Sequence, residues 1–348
     1  MTAQLRPTRP DRLELGEGIR WTGTDVVLVD ILAGRLLTAP HDETAPLRTV
    51  AQLPVPLGAV APLSGHCGTW VAAADTGIGL LRPDGTLDWL ARPEENAPHR
   101  MRMNDAVADP FGRFWAGSMA YDADEGAGSL YRLDRDGTVA RVLDGITVPN
   151  GPAFTPDGGH MYLADSARGV VRRYPVDPVT GDLGAPEDFV TIREGSPDGM
   201  AVDVEGAVWI AVWGTGTVRR HLPDGTLDRT VRLPARQPAG VCLGGVLRVP
   251  HGTRARRGSG CCHSRHAPSP HRPKGQSRCR GGHGHRTGPS EHPLAHDVLH
   301  ITTARVGLAA PGHDDGALFT VRVDVPGTPT PACRLDTVRS PSTSGDAG

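Results

Sequence analysis

The 348-residue sequence is poor in aromatic side chains, which make up 4% of it, and it contains a single lysine, Lys274. No apolar run approaches the roughly 20 residues of a membrane-spanning helix, so no membrane role is expected. The first eighteen residues, MTAQLRPTRPDRLELGEG, lack the apolar stretch of a secretory signal, and a cytoplasmic location follows as the expectation. Six cysteines are too few and too scattered to staple a chain that is long enough to bury its own core; free thiols are expected. Glycine (45) and proline (32) are the abundant residues. A chain so rich in turn formers argues against a helical bundle and for many short strands joined by tight turns.

The net charge of −2 conceals two unlike regions. Residues 251–296 carry nine basic side chains and one acidic one, Glu291, whereas the rest of the chain carries 28 basic and 38 acidic ones. The segment contains no Val, Ile, Met, Phe, Trp or Tyr and cannot bury enough apolar surface to offset its ordering entropy. Three readings stay open: a cationic arm for nucleic acid or a membrane surface, a metal site among Cys261, Cys262, His263, Cys279, His283 and His285, or an insertion without function. The ligand spacings match no zinc pattern. Insertion is the reading taken, and nucleic acid is not an expected partner.

Elsewhere the chain repeats a theme of strand, turn and strand. Taking the end of one apolar strand per repeat gives Asp30, Asp75, Ser118, Asp165, Trp213 and Ala304, spaced by 45, 43, 47, 48 and 91 residues. Removing the 46 anomalous residues restores the period in the last interval. Pro83-Asp84-Gly85-Thr86 and Pro223-Asp224-Gly225-Thr226 supply hairpin turns. Six such units predict an all-β, six-bladed β-propeller. It spans 12–335, with 246–296 a disordered, low-complexity insertion in the last blade and disordered ends at 1–11 and 336–348.

In a propeller the innermost strand of each blade lines the channel. Thirteen to fifteen residues before four of the six strand ends stand Glu17, Asn104, Asn150 and Asp198; the second and sixth repeats have GAVAP and CLGG instead. Two carboxylates and two amides at one phase of a repeat converge on the axis as a hard, oxygen-rich site for a divalent cation. No Ser–His–Asp arrangement has a comparable basis. His66, His99, His160 and His221 read as surface residues, and Trp115, Trp209 and Trp213 as core.

The motifs LGEGIRW, RMNDAVADPFGRFWAGSMA, VPNGPAFTPDG, LADS, PDGMAVDVEGAVWIAVWG and LHITTARVGL, taken together, resemble the SMP-30/gluconolactonase/regucalcin-like family of six-bladed propeller lactonases. The resemblance runs from about Arg12 to Leu335, interrupted at 246–296. It implies hydrolysis of a small sugar lactone and one divalent cation (calcium, zinc, manganese or magnesium) held by Glu17, Asn150 and Asp198. Asp198 would also act as general base, while Arg102, Asn104 and Asp122 would bind substrate. The chain departs from the family at Ile19, where proline is usual, at Ala106, where glycine is usual, and at Tyr121-Asp122. Two other functions remain open: a non-catalytic calcium-binding regulatory protein, and an enzyme inactivated by the insertion. The choice of lactone, the physiological metal and the oligomeric state are not readable from the sequence.

Overall fold

The computed structural model describes residues 5–7, 9–40, 42–245 and 298–336. The expectations for 246–296 and for the C-terminal tail beyond 336 fall outside these residues. The described residues contain 23 strands and no helix. They form six antiparallel sheets, each built in chain order from its inner to its outer strand. The inner strands are Gly16–Trp21, Leu57–Pro62, Met101–Ala108, Pro149–Phe154, Ser196–Val202 and Pro238–Gly244. Each packs against the inner strands of its neighbours, and the sixth packs against the first. The architecture is a six-bladed β-propeller.

Burial falls from the axis outwards, and the residue choice follows it. A second strand such as Val208–Trp213 (VWIAVW) is nearly all apolar because both of its faces are covered. The outermost Leu227–Arg232 (LDRTVR) is mostly exposed and charged. Six buried apolar clusters fill the six interfaces between adjacent blades. The cluster that closes the ring joins Ile19, Trp21 and Leu28 of the first blade to Cys242 and Leu318 of the sixth. Backbone bonds secure the same seam, with Leu13 N donating to Gly316 O at 2.7 Å and Arg305 N to Glu14 O at 2.9 Å.

The sixth blade has three strands, Pro238–Gly244, Val298–Thr303 and Leu318–Arg322. Gly244 pairs with Val298, so the two ends of the chain flanking 246–297 lie side by side, where the repeat arithmetic puts an interruption. After the last strand the chain runs across several blades: Thr330 N donates to Trp21 O, Cys333 N to Pro62 O and Arg334 N to Gly112 O, each at 2.8 Å. Within the N-terminal stretch expected to be disordered, Arg9 is buried. Its guanidinium donates to the carbonyls of Pro40, Asp42 and Ala45.

Two blades contain the same structural tie, encoded as Asp-x-x-Gly-x-x-Trp. Asp109 accepts from Arg113 Nε at 2.6 Å and Trp115 Nε1 at 3.0 Å. Asp203 accepts from Arg220 Nε at 2.8 Å and Trp209 Nε1 at 2.9 Å. Each aspartate also takes backbone N–H groups of its own turn, which satisfies a carboxylate that is wholly buried.

Candidate active site

Every inner strand is irregular at one place. The pairing register slips at Glu17–Arg20, Leu57–Ala59, Met103–Ala106, Asn150–Ala153, Pro197–Met200 and Pro238–Val241. A bulge of this kind re-aims a side chain and sharpens the local twist. In five blades the bulge includes a glycine: Gly18, Gly58, Gly151, Gly199 and Gly240. The channel demands it, since a Cβ on Gly58 would lie 2.0 Å from the Asn104 carbonyl oxygen, and Gly151 has a φ of +81°. Asp105 stands at the corresponding bulge of the third blade. Glu17, Asn104, Asn150 and Asp198 therefore come together by a shared backbone device, one per blade.

These four side chains and Arg102 are all more than nine-tenths buried, and they line one cavity of about 530 Å³ with Met119, Tyr121, Ser166 and Trp213. A chain of hydrogen bonds crosses three blades. Arg102 Nη1 donates to Asn104 Oδ1 at 2.7 Å, and Asn104 Nδ2 donates to Asn150 Oδ1 at 2.8 Å. Asn150 Nδ2 then donates to Ser166 Oγ at 2.8 Å, and Ser166 Oγ donates to the Pro197 carbonyl beside Asp198.

The two carboxylates of the same cavity are in an unfavourable electrostatic state. Burial, then the charge of Asp105, pushes the Glu17 carboxyl up to about 8. Burial, then the charges of Glu17 and Asp105, raises Asp198 well above the usual carboxylate range. The two carboxyls act on each other at close range, and Asp198 Oδ1 is buried with no partner. Arg102 donates its other Nη1 bond to Met103 O at 3.0 Å, and burial lowers its pKa. Beneath the pair, Arg20 Nη2 bridges Asp105 Oδ1 and Ala106 O, both at 2.7 Å. Burial also raises Asp105.

Oxygen donors, two adjacent carboxyl groups and an orphaned carboxylate oxygen fit a hard divalent cation. Among the described residues no group of three or more His, Cys, Asp or Glu side chains is placed to hold a metal ion; the fit rests on two carboxylates and the Asn150 amide. Asp122 is exposed on the turn after Ala120, and the cavity wall there is formed by its neighbours Tyr121 and Ala123. Trp213, expected in the core, is half-buried and lines the cavity, whereas Trp115 and Trp209 are core. His221, expected at the surface, is buried with its ring 6.4 Å from that of Phe189, because it ends a strand covered by the outer strand of the preceding blade. Ser166 carries a link that sequence reasoning missed. Its motif, LADS, marked the place but not the role.

The sequence profile described as the SMP-30/gluconolactonase/LRE-like region matches residues 15–248. The chain belongs to this family. It is 36% identical over 241 residues to the 6-deoxy-6-sulfogluconolactonase of Pseudomonas putida, covering 66% of this chain and 79% of that protein. It is also 36% identical over 240 residues to a pentonolactonase of Haloferax volcanii, covering 66% and 78%. Among solved structures, a calcium-binding protein, regucalcin, from Agrobacterium tumefaciens superposes with a TM-score of 0.73 at 25% identity, over 95% of this chain and 97% of that one.

Proposed function

We propose that this protein hydrolyses sugar lactones with one divalent cation held by Glu17, Asn150 and Asp198. The observation that carries the reading is the pair of buried, facing carboxylates, one with an unpartnered oxygen, at the base of a cavity suited in size to a small ligand. Family membership and the names of its relatives support the lactone as the substrate class.

When bound, the cation supplies Lewis-acid polarisation of the carbonyl and acidifies water. Asp198 offers Oδ1, free of other hydrogen bonds, as the general base that takes a proton from the attacking water and returns it to the ring oxygen as the lactone C–O bond breaks. Arg102, a cation with no carboxylate bonded to it among the described residues, orients substrate hydroxyls and stabilises negative charge developing on the carbonyl oxygen. Asn104 holds Asn150 and Arg102 in register, and Asp122 lies at the rim as a contact for a longer substrate.

The test is lactone opening by the purified chain after chelation, with calcium, magnesium, manganese or zinc restored in turn. Opening above the rate of each free ion, lost in Asp198→Asn, is expected. No acceleration with any of the four ions on a panel of aldonolactones would overturn the proposal, and calcium binding without hydrolysis would favour a regulatory protein instead.

A further inference from the structure

Beside the candidate lactone cavity lies a second cavity of about 580 Å³, and Leu32 and Tyr121 line both. Three independent features mark it as a built site. The two non-glycine residues with positive φ among the described residues are Asp75 (44°) and Ala123 (53°); the first lines this cavity and the second its neighbour. Backbone strain of this kind persists only where surrounding structure enforces it, and it clusters at ligand clamps. The Asp75 carboxylate is enforced by Arg92 Nη2 at 3.0 Å, and the same guanidinium grips Glu95. Thr76 Oγ1, also in the lining, is buried without a partner. Arg100, in the same wall, lies 4.3 Å over the Tyr121 ring, and among the described residues no carboxylate is bonded to it.

The chemistry of the wall selects the occupant. Asp75 and Glu95 are paired with Arg92 and Glu94 offsets Arg100, so an anionic group finds no surplus of positive charge. A cationic group finds those carboxylates already engaged, Glu94 by the hydroxyls of Ser118 and Tyr131 and the other two by Arg92. A neutral polyhydroxy group fits both halves of the wall. Its hydroxyls donate to the remaining carboxylate lone pairs and to Thr76, accept from Arg100, and leave its C–H face to pack on Leu32 and Tyr121.

We infer that this second cavity is a subsite for a neutral glycosyl substituent, so that the preferred substrate is the lactone of a disaccharide aldonic acid. The inference rests on the lactonase reading for the reacting end of the substrate. Kinetics on a disaccharide aldonolactone and on the lactone of its single reducing-end sugar test it. The intact protein is expected to show the lower KM for the disaccharide. Arg100→Ala removes a charge-assisted hydrogen bond and should raise that KM about tenfold, and Thr76→Val about threefold, with kcat/KM on the single-sugar lactone unchanged in both. Equal effects on the two substrates, or none on either, would overturn the subsite. If neither lactone is opened, the lactonase reading fails by itself. Calorimetric titration with the matching disaccharide alditol then decides the subsite alone: binding that weakens about tenfold in Arg100→Ala sustains it, and equal binding or none refutes it.

Discussion

Asp203 and Asp198 are five residues apart, both buried, and opposite in their energetics. Asp203 sits in a turn built around it, with Arg220, Trp209 and two backbone N–H groups donating to its oxygens. Asp198 sits at the axis with one oxygen unpartnered and a second carboxyl against it. The fold satisfies the first carboxylate completely and leaves the second in want of positive charge. A carboxylate saturated by its own protein is a structural tie, whereas one left short is available for a ligand. The third blade repeats the first case with Asp109, so saturation is a recurring device of this fold and the axis is the exception.

The largest effect should separate the two aspartates by function. Asp198→Asn is expected to lower kcat on an aldonolactone by about a thousandfold or more, since it removes a general base and a charged ligand together. In the metal-free protein it should leave the melting temperature unchanged or raise it, because an uncompensated buried charge is gone. Rates and melting curves on the same preparation check both halves.

Asp203→Asn should do the reverse. Losing the charge-assisted hydrogen bonds to Asp203 costs about 1–3 kcal/mol, since Arg220 keeps Glu205 and Asp228, and is read as a lowered denaturant midpoint. Activity per folded molecule should fall little. If Asp203→Asn abolished turnover while leaving stability intact, saturation would not mark a structural role.

The contrast also explains how much was legible in the sequence. Glu17, Asn104, Asn150 and Asp198 could be found because each stands at the same phase of a repeat, and a repeated bulge carries that phase into space. The six blades were legible for the same reason. Tyr121 and Asp122 show the limit. Adjacent residues on a turn diverge, and which of the two faces the cavity depends on the chain's path, which places Tyr121 and Ala123 in the wall and Asp122 outside it. Trp213 ends a strand in the sequence reading and in the structure, and His221, read as a surface residue, ends another; burial at a strand end is decided by the neighbouring blade, which local sequence does not contain. The second cavity was invisible because Leu32, Asp75 and Arg100 come from three separate loops.

His300 offers a third kind of buried group, with neither ring nitrogen hydrogen-bonded. Burial, then the charge of Arg9, lowers its pKa to about 4, against about 6.5 in an unfolded chain. Between these values the unfolded state binds the extra proton, so this residue's contribution makes stability fall as pH falls from about 6.5 towards 4. The loss is on the order of 3 kcal/mol when complete. His300→Leu should flatten that part of the profile, measured as denaturant midpoints from pH 7 to pH 4. An identical slope in the variant would refute the assignment.

The smallest effect is expected where the chain is longest. Because Gly244 pairs with Val298, joining Gly245 directly to Asp297 leaves a two-residue Gly-Asp hairpin loop. Loop closure depends only logarithmically on length, about 0.6 kcal/mol per doubling. The shortened protein should be somewhat more stable and keep its activity within about a factor of two, since none of the axis residues lies in the deleted segment. Loss of activity in a folded, shortened protein would show that the segment has a function.

The most direct measurement is the melting temperature of the wild type and of Asp198→Asn as calcium, magnesium, manganese or zinc is added to chelator-treated protein. A cation that binds only the folded state at a hundred times its Kd stabilises it by about 2.7 kcal/mol. A clear upward shift with at least one ion is expected for the wild type and its loss in Asp198→Asn, with Asp203→Asn still responding. The same shift in Asp198→Asn as in the wild type, or no shift with any of the four ions, would contradict it.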